Sequence, residues 1–174
     1  MTLRDKTTVT FYNGLTTIGG PMIEVAYNDS HVLFDLGEVY RPELGLSMDD
    51  EDYQTLIKYQ LIGEAPDFYD EKITGKAIDT KRWKHSAAYI SHLHLDHSKA
   101  LNLLSPTIPL YAGPITAHLL PALNEKGDFF CQQPVMKKAT LVQSSRLNIK
   151  SRLRLARSQW KFGQAITMHM ALPV

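Results

Sequence analysis

Three histidines and an aspartate fall within six residues, His92-Leu93-His94-Leu95-Asp96-His97. Composition alone would produce this pattern in fewer than about one chain in a thousand, so chance is a poor explanation. The spacing has a chemical meaning. In an extended segment alternate side chains share a side, so His92 and His94 can offer imidazole nitrogens to one divalent ion. Asp96 and His97 then fall at the entry to the next helix and can face a second ion. Neutral imidazole with carboxylate suits zinc, and also manganese or iron. Two ions about 3.5–4 Å apart can bridge a water, lower its pKa and stabilise both the entering and the leaving oxygen. Single histidines often cap helices or fill polar pockets, but four such donors at ligand spacing seldom do. His92, His94, Asp96 and His97 are therefore the candidate ligands of two divalent ions, zinc first and manganese second. Asp96 is also the candidate catalytic residue.

The elements around the motif must position it. Ala87 to Ser91 is a short apolar run and reads as a buried strand ending just before the histidines. Ser98 to Leu104 reads as helix, Thr107 to Tyr111 as a strand, and Pro114 as the first residue of a helix through Leu123. Upstream, Thr7 to Tyr12 alternates like a strand. Met22 to Tyr27 and His31 to Asp35 read as a hairpin joined by Asn28-Asp29-Ser30, with Val32, Leu33 and Phe34 making the second strand a buried one. That strand ends at Asp35-Leu36-Gly37, where glycine permits a sharp exit. Residues 38–84 form a long excursion. A helix beginning in the acidic run Asp49-Asp50-Glu51-Asp52 is expected to continue through Leu61 until Gly63 and Pro66 stop it. Asp67 to Lys84 reads as loop, and Ala165 to Met170 as a last strand.

Bulk properties exclude some classes. The 174 residues suffice for one domain with a sizeable core. The opening residues, Met1-Thr2-Leu3-Arg4-Asp5-Lys6, lack the apolar stretch expected of a signal peptide, and no apolar run is long enough to span a membrane. Cys131 is the only cysteine, which excludes an internal disulfide and a multi-cysteine zinc site. A cytoplasmic protein is the expectation. The net charge of +1 hides a division, because residues 1–130 hold all 18 acidic residues against 11 basic ones, whereas residues 131–174 hold 8 basic residues and no acid. That tail could contact nucleic acid or an anionic surface, or be a solvated basic face. The run Lys81-Arg82-Trp83-Lys84-His85 reads as a solvated loop, with Trp83 stacking on a base as the alternative. His31 and His85 stand alone, with no expected part in metal binding, and Tyr89 is expected in the core.

The run Ile90-Ser91-His92-Leu93-His94-Leu95-Asp96-His97 after a buried strand resembles the H-x-H-x-D-H motif of the metallo-β-lactamase superfamily. Matched residue by residue, His92 and His94 correspond to ligands of the first metal, and Asp96 and His97 to ligands of the second. The segment from Phe11 to Val25 and the strand ending at Asp35 and Gly37 resemble that fold's opening, so the likeness runs from Val9 to about Leu123. The Gly-Leu-x-x-Ile-Gly-Gly opening, Gly14 to Gly20, and the plain continuation through Ala100 and Leu101 are most similar to ribonuclease J-type nucleases, whereas many lactonases, glyoxalase II-like thioesterases and transfer-RNA 3′-processing enzymes carry a glycine where Ser98-Lys99-Ala100 stands here. The resemblance implies an α/β fold, a four-layer αββα sandwich of two similar halves, of which residues 1–130 would be the amino-terminal half, a mixed sheet with flanking helices.

It also implies a metal-dependent hydrolase, with a metal-bound hydroxide attacking a phosphodiester such as RNA. Esters, thioesters or lactones are the alternative substrates. Family members complete the site with a histidine, a bridging aspartate and a last histidine from the second half. Downstream of His97 stand only His118, Asp128 and His169. His118 reads as a surface or packing residue, and His169, between Met168 and Met170, as mid-strand. The chain is accordingly expected to be an amino-terminal fragment, which could be inactive. Its acid-free segment 131–174 is expected to be a basic tail and an incomplete second half, with a frameshifted origin conceivable.

Overall fold

The computed structural model describes residues 6–47 and 52–126. The tail expected over 131–174, the strand at Ala165 to Met170, and Asp128 and His169 lie outside the described residues. The architecture is α/β, a five-stranded mixed sheet with short helices. Strands β1 (Thr7–Asn13), β2 (Met22–Tyr27), β3 (Ser30–Phe34), β4 (His85–Ile90) and β5 (Leu110–Ala112) lie side by side in chain order. The first three form an antiparallel meander, and β3, β4 and β5 are mutually parallel. Pairing of Tyr27 with Ser30 leaves Asn28-Asp29 as a two-residue turn, with Asn28 at φ 56°. Asparagine tolerates that left-handed conformation better than most residues.

Parallel strands cannot be joined by a tight turn, and residues 35–84 make the crossover from β3 to β4. Within it lie α1 (Tyr53–Lys58) and α2 (Glu71–Thr74). Asp52 caps α1 by accepting from the Thr55 N–H at 2.8 Å. The helix ends at Lys58, earlier than its apolar pattern predicts, because Gln60 turns left-handed at φ 55°. The supposed loop from Asp67 onward is also better packed than expected. Phe68 and Tyr69 are fully buried and join Leu56, Leu61, Ile62 and Ala65 against Met22, Leu33 and Leu36. The Tyr69 hydroxyl donates to the Gly63 carbonyl at 2.6 Å, and the Gly63 N–H to the Met22 Sδ at 3.2 Å.

This layer covers one face of the sheet, presented by Met22, Glu24 and Ala26 on β2, His31 and Leu33 on β3, and Ala88 and Ile90 on β4. On the opposite face Ile23, Val25, Val32, Phe34 and Tyr89 are only half-buried, and on β1 Val9 and Phe11 are exposed. Val32 and Phe34 are thus not core residues, and neither is Tyr89, whose ring packs 5.9 Å from Phe34. The strands alternate, so a continuous apolar run still divides between two faces.

Beyond β4 the chain makes one helical turn, α3 (Leu95–Ser98), continues as 3₁₀ helix over Lys99–Leu103, and reaches β5 three residues later than expected at its start. The last described element, α4, runs Pro114–Lys126, with His118 exposed as expected. Among the described residues no helix is long and apolar enough to cross a membrane.

Candidate metal centre

The motif occupies the carboxyl end of β4. The chain bends at Ser91 as it leaves the sheet, and His94, in an extended conformation, precedes the single turn of α3. The His94 carbonyl accepts from the His97 N–H at 2.9 Å and from the Ser98 hydroxyl at 3.0 Å, which closes that turn. Two glycine-bearing loops then grip Asp96. Its carbonyl accepts from the Gly20 N–H at 3.0 Å. A β-carbon on Gly37 would lie 1.7 Å from that same carbonyl oxygen, and one on Gly19 would lie 2.8 Å from the Asp96 β-carbon. Real side chains do not approach so closely, so only glycine fits at Gly37 and Gly19. The chain on either side of Gly37 is tied in as well: the Leu36 N–H donates to the His97 carbonyl at 3.0 Å, and Lys99 pairs with Glu38 at 2.9 Å.

Asp35 is the organiser of this region. It sits just past β3 at φ 59°, a conformation that aspartate tolerates. One carboxylate oxygen accepts from the Ser91 N–H at 2.7 Å. The other accepts from the Ser91 hydroxyl at 2.9 Å and lies 2.8 Å from His97 Nδ1. A carboxylate at Nδ1 holds the proton there and leaves Nε2 as the free donor atom. His97 Nε2 lies 3.5 Å from Asp96 Oδ2, so the two expected ligands of one ion are neighbours. The His92 ring stands 4.6 Å from His94 and 4.1 Å from His97, centroid to centroid.

All four predicted residues are therefore brought together. Asp35, Ser91 and the Lys99–Glu38 pair were not assigned to the site from the sequence. The signal for Asp35 was present in Asp35-Leu36-Gly37 at the end of an apolar strand.

Desolvation, then the His97 and His94 rings, push the pKa of His92 below its ordinary 6.5. The folded protein resists protonating His92, so this group disfavours the native state as pH falls through 6.5 and below. The expected result in a histidine NMR titration is a His92 midpoint below 6.5 in the metal-free protein. A midpoint at or above that value would contradict the packed imidazole cluster.

In donor type the cluster fits divalent zinc or manganese: imidazole nitrogens held neutral or oriented, and an adjacent carboxylate. In number it does not complete a site. Among the described residues no group of three or more His, Cys, Asp or Glu side chains is arranged to hold an ion. The expectation from the motif is two donors to each ion, so further ligands have to come from other residues.

Trp83 is buried and stacks on His31 with ring centroids 4.1 Å apart, while the Arg82 guanidinium lies 4.4 Å from its ring centroid. It is not an exposed platform for a base. His85 is exposed, but His31 does not stand alone, since both its ring nitrogens are engaged.

No family model matches the sequence, and no curated protein matches it. Among solved structures, the chain is similar to a protein of unknown function from Enterococcus faecalis V583, with a TM-score of 0.66 and 45% identity. The match covers 75% of this chain and 31% of that one, so the chain spans about a third of the length of that protein.

Proposed function

We propose that this chain carries the metal-binding part of a metallo-β-lactamase-fold hydrolase, its sheet forming one half of an αββα sandwich. The substrate class we assign first is the phosphodiester of RNA. The observation that supports the reading is the gathering of His92, His94, Asp96 and His97 at one strand end, with His97 oriented by Asp35. His92 and His94 would hold one divalent ion, and Asp96 and His97 a second. Such a pair supplies an activated water and neutralises charge developing on the phosphate. The chain's own residues do the positioning. Asp35 keeps the proton on His97 Nδ1, Ser91 ties the start of the motif to the end of β3, and the Gly19-Gly20 and Gly37 loops fix the Asp96 backbone.

One observation favours the second reading, hydrolysis of an ester, thioester or lactone. Residues 1–130 carry 18 acidic against 11 basic residues, and Trp83 is unavailable for stacking. Polyanion binding would then fall to the basic segment 131–174. The test is elemental analysis of the purified chain beside a His92→Ala/His94→Ala variant. About two zinc or manganese ions per chain, lost in the variant, is the expected result. A wild-type chain that retains no metal after equilibration with excess zinc overturns the proposal. Cleavage of a single-stranded RNA oligonucleotide against a thioester then separates the two substrate classes.

A further inference from the structure

A second constellation lies at the opposite end of β4, and the metal reading makes no use of it. Tyr12 on β1, Glu24 on β2, His31 on β3 and Ser86 on β4 form one hydrogen-bonded row across four adjacent strands. The Tyr12 hydroxyl donates to Glu24 Oε2 at 3.0 Å. The other carboxylate oxygen, Oε1, lies 2.6 Å from His31 Nδ1, and His31 Nε2 lies 2.7 Å from Ser86 Oγ. Burial, then the Glu24 carboxylate, push the Tyr12 phenol well above its ordinary pKa, so it stays a donor. Glu24 is thus an acceptor on both oxygens. The Nδ1 of His31 carries the proton, and Nε2 is left to accept from Ser86.

Hydroxyl, imidazole and carboxylate in this order and at these distances are what activates a serine: nucleophile, base and a group that orients the base. The orienting parts are locked. His31 is 1% exposed and Glu24 5% exposed. Trp83 stacks parallel to the imidazole within 8°, and the Phe68 ring centroid lies 4.2 Å from it. Trp83 is itself fixed by its indole N–H donating to Asp67 at 2.9 Å. Ser86, beside the exposed His85, is only partly buried, unlike the base and the carboxylate behind it.

We propose that Ser86, His31 and Glu24 form a nucleophilic centre, separate from the metal site, that accepts an acyl group from small activated esters. Ser86 Oγ attacks the ester carbonyl carbon while its proton passes to His31 Nε2. The bond from that carbon to the leaving oxygen breaks, and His31 returns the proton to the departing alcohol. Acyl-Ser86 remains, and water attacking it by the same route releases the carboxylic acid. The row supplies a nucleophile and a base but includes no donor for the oxyanion, so both steps are slow; an activated leaving group speeds acylation alone, and acyl-Ser86 accumulates.

The test treats the 174-residue protein with p-nitrophenyl acetate in excess chelator, so that failure of the metal reading cannot affect it. Release of p-nitrophenolate is followed, and the acetyl group is located by peptide mass spectrometry. The expected result is acetylation at Ser86, abolished in Ser86→Ala and slowed about 100-fold in His31→Gln, the loss of a general base. In the wild-type protein the rate should level off above a single ionisation. Absence of acetyl-Ser86, a rate that simply follows hydroxide, or an unchanged rate in a folded His31→Gln overturns the proposal and leaves the row a structural tie between strands. Should His31→Gln fail to fold, the wild-type pH profile decides alone.

Discussion

Gly37→Ala will destabilise the protein by about 3 kcal/mol, near the upper end for overpacking substitutions, and will remove metal binding with it. The added carbon would fall 1.7 Å from the Asp96 carbonyl oxygen, 2.5 Å from its carbonyl carbon and 3.0 Å from the Gly20 α-carbon. All three are backbone atoms, which cannot swing aside as a side-chain tip can. Relief requires moving Asp96, which also breaks the hydrogen bond from Gly20 and drags one candidate ligand out of place. Gly113→Ala is the matched control, since nothing lies within 4 Å of a β-carbon there. Urea denaturation of both variants measures the difference. A Gly37→Ala protein as stable as Gly113→Ala would mean that the two loops do not meet as described.

Asp35→Asn is the second large effect, and it separates charge from shape. Asparagine suits the left-handed φ of 59° and is isosteric, so the backbone should survive. The carboxylate, however, serves three partners: the Ser91 N–H, the Ser91 hydroxyl and His97 Nδ1. An amide cannot accept on both of its atoms, and its NH₂ would face either the backbone donor or the imidazole N–H. Loss of such an orienting carboxylate typically weakens metal affinity about 10–100-fold. Zinc titration of the wild type and variant should show a drop in that range, with the His97 tautomer followed by NMR in the absence of metal. Equal affinities, with the Nδ1 proton retained, would mean that Asp35 does not orient His97.

The site was legible because ligand chemistry is local. Four donors within six residues need no knowledge of the fold to be noticed, and the strand before them is short and apolar. The hairpin was legible for a similar reason, since Asn28-Asp29 is a turn signal between two alternating runs. Features set by distant partners were not. Ser91 meets Asp35 across 56 positions, and His31 meets Ser86 across 55, separations that no local pattern encodes. Phe68 and Tyr69 looked like loop residues because their burial comes from Met22 and the sheet, not from a periodicity of their own. Tyr89 looked like core because a run such as Ala87 to Ile90 does not reveal that only alternate residues face the covered side. The early stop of α1 rests on one left-handed glutamine, a residue type that carries no such signal.

The crossover between β3 and β4 sets the order in which this molecule can fold. The meander of β1, β2 and β3 closes through short connections and can form early, as local pairings do. The parallel pairing of Ser30 with His85 must instead wait for a chain segment of some fifty residues to be gathered. The bonds that tie the histidine cluster to the end of β3, from Asp35 to Ser91 and from Leu36 to His97, cross that same gap. The cluster is therefore a late product of folding. A nascent or partly unfolded chain can present the same four donors as an unconstrained peptide, without the carboxylate that orients them.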